Sequence, residues 1–74
     1  MNDLNLIIEN LLEEPEFKPG GFVWKRLENG SPDPLRSVQS AVDRMRELHD
    51  IEDSQFGLIC STLLESIIQN FDKS

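Results

Sequence analysis

The stretch SQFGLICSTLLESIIQNFD, running from Ser54 to Asp72, decides the fold. Phe56, Ile59, Cys60, Leu63, Leu64, Ile67, Ile68 and Phe71 recur at three- and four-residue intervals, the period of an α-helix. At about 100° per residue they cover roughly half of the helix circumference, with Leu58 outside the arc. Asp53 or Ser54 caps the start by accepting a backbone N–H. Immediately upstream, Asp50-Ile51-Glu52-Asp53 is a short connection. A link this short predicts that helix 54–72 returns antiparallel along the helix before it.

That preceding helix is predicted over 34–49. Ser31-Pro32-Asp33-Pro34 is the clearest punctuation in the chain: Asp33 is a good N-cap, and Pro34 fits the first helical position, where no N–H is needed. Leu35, Val38, Val42, Met45 and His49 then follow 3-4-3-4 spacing, with Ala41 and Leu48 broadening the stripe. His49 near the end suits the negative pole of the helix dipole.

A further helix is predicted over 3–14, where Leu4, Ile7, Ile8, Leu11 and Leu12 share one face and Leu6 falls off it. Asn2 or Asp3 caps it, and Pro15 stops it because proline disfavours helical geometry at Glu14. Glu13 and Glu14 sit at the unfavourable pole of the dipole, which predicts fraying. Leu4–Glu13 matches Phe56–Glu65 at five of ten positions, as expected of two helices presenting similar faces to one groove.

Residues 15–33 are irregular, with all four prolines of the chain lying between Pro15 and Pro34. Gly20-Gly21 lacks the context of a phosphate-binding loop and reads as a tight turn. Within this region Phe22-Val23-Trp24-Lys25-Arg26-Leu27 reads either as a short strand over 22–27 or as one or two helical turns sharing Val23, Trp24 and Leu27. The strand reading would leave a lone edge that wants a second copy or a target. The expected architecture is mainly α: one small three-helix domain over residues 1–74 with 15–33 draped across it.

The chain has 74 residues and a net charge of −7. A domain this small buries about 60% of its unfolded surface, so a partner or self-assembly adds stability. Apolar runs of three residues are far too short to span a membrane. The first basic residue is Lys18, so the start does not read as a secretory signal. One cysteine makes no internal disulfide, and a cytoplasmic setting is the simpler expectation. The acidic balance argues against direct nucleic-acid binding. Charge is layered: residues 1–16 hold five acids and no base, 17–46 hold six bases and three acids, and 47–74 hold six acids and one lysine. That order favours ends folded back on the middle, subunits meeting head to tail, or simply solvated surface charge.

Catalytic groups are scarce. The chain has one His, one Cys and no Tyr. Cys60 lies within an apolar stripe, where burial keeps a thiol protonated. His49, Asp50, Glu52 and Asp53 lie on one turn with no second cluster to complete a metal shell, and capping explains the acids. No catalytic, metal or cofactor site is expected, and the chain does not read as an enzyme.

Phe22, Trp24, Lys25 and Arg26 are the candidate partner-binding residues, because Trp and Arg dominate binding hot spots, while Trp24 also reads as the core plug of a small protein. The favoured class is a non-catalytic acidic protein-interaction module: a small inhibitor, adaptor or regulator, of the phage-encoded or immunity and antitoxin kind. A second class is self-assembly through Leu58, Ile59, Leu63, Ile67, Ile68 and Phe71. A third is acidic mimicry of DNA.

From Pro32 to Phe71 the chain resembles the subunits of type III secretion needles, on the Ser31-Pro32-Asp33-Pro34 turn, Gln39-Ser40 with its following stripe, and the closing Ile67-Ile68-Gln69-Asn70-Phe71. Residues 15–30 differ, with Pro, Gly-Gly and Phe-Val-Trp where needle subunits carry a polar helix. The resemblance implies a helical hairpin whose wide apolar arc packs in a filament wall.

Overall fold

A computed structural model of the chain describes residues 3–73. Four α-helices follow in order: α1 (Leu4–Leu12), α2 (Phe22–Glu28), α3 (Pro34–Arg44) and α4 (Asp53–Lys73). A single 3₁₀ turn, Pro15–Phe17, stands between α1 and α2. At about 1.5 Å per residue, α4 is roughly 31 Å long. It therefore runs most of the 36 Å length of the molecule. α1 and α3 both pack on α4, while α2 packs on α3 and on the 3₁₀ turn.

The starts of α1 and α3 are the ones that the caps predict, whereas α4 begins at Asp53 itself, whose carboxylate pairs with Arg46 rather than capping the helix. Asp3 Oδ1 accepts the backbone N–H groups of Asn5 at 3.0 Å and Leu6 at 3.3 Å. Asn2 lies outside the described residues. Asp33 Oδ1 accepts the Arg36 N–H at 3.2 Å, with Pro34 at the first helical position. The predicted ends at residues 14 and 49 run too far. The α1 helix stops at Leu12, and Glu13 and Glu14 tighten into a turn. Both find partners outside the helix: Glu13 pairs with Lys18 at 3.0 Å, and Glu14 Oε1 lies within hydrogen-bond distance of His49 Nε2, at 3.2 Å.

The α3 helix stops at Arg44, and Met45–Asp50 continues as turns. Asp50 adopts a left-handed conformation (φ 52°), with Asp50 N–H bonded to Glu47 O and Ile51 N–H to Arg46 O. This reversal satisfies two terminal carbonyls and turns Ile51 into the core. Arg46 then ties the corner, pairing with Asp53 and lying over the Phe56 ring at 4.9 Å from its centre. The smooth apolar stripe through Met45 and His49 concealed this break.

Residues 22–27 take the helical alternative, and no strand is present among the described residues. Lys25 N–H bonds to Gly21 O and Asn29 N–H to Lys25 O, so the backbone is satisfied locally and no edge is left for a second copy. Gly20 turns the chain with φ +86°. Gly21 is needed for a different reason: a Cβ there would overlap the Pro15 carbonyl oxygen and come within 2.9 Å of the Glu16 backbone. The backbone before α2 thus lies directly on the 3₁₀ turn.

The core contains Ile7, Ile8 and Leu11 of α1, Val38, Ala41 and Val42 of α3, and Ile59, Cys60, Leu63 and Ile67 of α4. Phe17, Val23 and Trp24 extend it under the connecting segment. The α1–α4 sequence echo carries the same burial at each matched apolar position from Leu6/Leu58 to Leu12/Leu64. Ile7 and Ile59, Ile8 and Cys60, and Leu11 and Leu63 are all buried, while Leu6 and Leu58 are exposed.

Two substitutions test this packing. Gly21→Ala forces backbone apart and should cost about 2–3 kcal/mol in urea unfolding, whereas Gly20→Ala meets open space and should cost about 1 kcal/mol of left-handed strain. Trp24→Phe keeps an aromatic ring but strips the partner from the Phe17 carbonyl, and should cost about 1–3 kcal/mol in the same assay.

Candidate binding cleft between α2 and α3

In a helix, residues four apart share a face. Phe22 and Arg26 therefore project together from one side of α2, and Val23, Trp24 and Leu27 from the other. Trp24 is buried, and its indole N–H donates to the Phe17 carbonyl at 2.8 Å. Its ring packs at 59° to Phe71, with centres 5.5 Å apart. The structure thus separates the four predicted docking residues. Trp24 belongs to the interior, where a partner does not reach it. Lys25 is exposed beside Arg26, and half-buried Phe22 and exposed Arg26 form the wall of a cleft of about 360 Å³.

The opposite wall comes from the start of α3: Asp33, Arg36, Ser37 and Ser40 line it. Sequence reasoning missed these residues. Arg36 and Ser40 are four apart on the polar side of α3, away from Val38 and Val42, and that spacing was the available signal.

Phe22 forms the aromatic surface of this region. The Arg26 guanidinium carbon lies 5.2 Å from its ring centre and that of Arg44 lies 5.0 Å away. Such contacts hold a cation at the ring face and contribute about 0.5–1 kcal/mol each at exposed sites. Arg44 is also bonded to Glu16 Oε1 at 2.7 Å, so its charge is balanced. Lys25, Arg26 and Arg36 have no ion pair among the described residues. In a chain of net charge −7, Arg26 and Arg36 thus line one cleft, with Lys25 exposed beside Arg26.

Of the predicted self-association residues, Ile59, Leu63 and Ile67 are interior, which removes them from any surface of the folded monomer. Phe71 is partly buried against the core. Leu58 and Ile68 remain on the outer side of α4, at 57% and 37% exposure. They are ten positions apart, about 15 Å along the helix, with Glu65 between them.

Cys60 lies in the core beneath α3, and burial pushes its thiol up to about 11 from 9.0. At neutral pH it is a protonated packing group. His49 is engaged with Glu14, and Asp53 with Arg46. Among the described residues no group of three or more His, Cys, Asp or Glu is placed to hold a metal ion. Among them, too, no helix is long and apolar enough to cross a membrane.

Because the folded thiol ionises less readily than the unfolded one, its contribution to stability is intact below pH 9.0 and is lost as pH rises towards about 11. The melting temperature should fall more steeply over that window in the native chain than in Cys60→Ala, and iodoacetamide at pH 7 should label Cys60 only after denaturant is added. Equal slopes, or rapid native labelling, would contradict the buried thiol.

Comparison with protein-family models, with curated proteins and with solved structures finds no match for this chain.

Proposed function

We propose that this chain is a non-catalytic protein-docking module, a small acidic inhibitor, adaptor or regulator that engages one protein partner through the outer face of α2 and α3. The observation that carries the reading is the Phe22 ring flanked by guanidinium groups beside the unpaired cations Lys25, Arg26 and Arg36. Aromatic and arginine side chains are enriched in binding hot spots because they bury much area while keeping directional polar contacts. The cations are positioned to meet an acidic surface, and the negative remainder of the molecule repels nucleic acid. A reducing, cytoplasmic setting suits a chain with a single thiol.

The test compares capture of binding proteins by the native chain, by the double variant Lys25→Glu/Arg26→Glu, and by Glu65→Lys on the outer side of α4. A specific partner should be lost with the first variant and kept with the second, with both variants retaining the native helical circular-dichroism spectrum. Equal capture by all three would overturn the α2–α3 surface as the docking face.

A further inference from the structure

Two cations of the docking face, Arg26 and Arg36, meet in one cleft with further polar groups. Arg26 approaches from α2 and Arg36 from α3, with the Ser37 and Ser40 hydroxyls beside Arg36. Asp33 is the acid in the lining. Its Oδ1 is committed to the Arg36 backbone N–H at 3.2 Å as the helix cap. Two guanidinium groups against one carboxylate leave the lining with a net positive charge. Phe22 and Pro32 supply apolar surface in the same cleft.

These groups select among anions. A phosphate site at a helix start uses the free backbone N–H groups of the first turn. Here Pro34 has no N–H and the Arg36 N–H is already taken by Asp33, so that device is reduced. What remains is a pair of guanidinium forks, whose planar geometry matches a carboxylate or a phosphate, and hydroxyls that donate to either. The apolar surface next to them matches a hydrocarbon side chain. The net charge of −7 disfavours a long acidic run, because repulsion grows with the charge of the ligand.

We infer that the cleft takes a short peptide segment of a protein partner in which one or two Glu or Asp residues stand beside an apolar residue. The carboxylate lies between Arg26 and Arg36, with Ser37 and Ser40 donating to it, and the apolar side chain rests on Phe22 and Pro32. The inference rests on the docking reading for the source of the segment, but the chemistry of the cleft is tested apart from it.

The experiment is a heteronuclear NMR titration of the full chain with three probes: a capped hexapeptide containing two Glu and two Leu, its Glu→Gln counterpart, and inorganic phosphate. The acidic peptide should give saturable amide shifts centred on Phe22, Arg26, Asp33 and Arg36. Arg36→Ala should weaken that binding about tenfold, and the Gln peptide and phosphate should give no saturable shift there. Equal binding of the Gln peptide would make the cleft merely apolar, saturation by phosphate alone would make it a phosphate site, and silence from all three would leave it empty. Each of these results overturns the inference. If the acidic peptide fails while the partner is still captured, the ligand class falls and docking stands. If the peptide saturates the cleft while capture is indifferent to Lys25 and Arg26, docking falls and the ligand class stands.

Discussion

The indole N–H of Trp24 donates to the Phe17 carbonyl across seven residues, and the path of the chain from Pro15 to Glu28 depends on that bond. A buried backbone carbonyl without a partner is costly, and a 3₁₀ turn of three residues has few means of satisfying its own. Trp24 solves this from the next helix. The bond also fixes the rotation of α2, because a helix held by Trp24 has Phe22 and Arg26 on its far side. Gly21 lets the two backbones approach closely enough for the bond to form. Burial of the indole and close contact of backbone therefore act on the same few residues.

The charge layering of the sequence appears in the fold as fold-back pairing. Two acids at the end of α1 and in the 3₁₀ turn meet bases of the middle segment, Glu13 with Lys18 and Glu16 with Arg44, while Glu14 is hydrogen-bonded to His49. The exposed Glu13–Lys18 and Glu16–Arg44 pairs contribute about 0–1 kcal/mol each, so they steer rather than hold. Their more important effect is selective neutralisation. Arg44 is balanced, whereas exposed Lys25, Arg26 and Arg36 have no ion pair among the described residues. Phe22 joins the two sets, with the Arg26 guanidinium 5.2 Å and the Arg44 guanidinium 5.0 Å from its ring centre.

The legible parts of the fold were those written in local chemistry. Asp3, Asp33 and Pro34 mark helix starts through groups within three residues, and the apolar stripes of α1, α3 and α4 carry the helical period directly. The Met45–Asp50 reversal was hidden because Met45 and His49 keep that period while the backbone leaves it, and because Asp at a left-handed position is an uncommon signal. Over 22–27 six residues suited either a strand or a helix, and the decision came from the contact with the 3₁₀ turn. At the candidate site, Phe22, Lys25 and Arg26 were legible as an aromatic–basic cluster. Trp24 was grouped with them because sequence proximity does not show which side of a helix faces inward. Arg36, Ser37 and Ser40 were missed because the opposing wall is brought in by the Asn29–Asp33 connection.

Trp24 is the single tryptophan of the chain, so its indole N–H gives one unambiguous proton resonance. Hydrogen exchange of that proton tests the organising role of the Trp24–Phe17 bond most directly. The account predicts that it exchanges as slowly as the core amides of α4, through global unfolding alone. Exchange at the rate of an exposed indole, with α4 still protected, would show that residues 15–28 open independently and would contradict it.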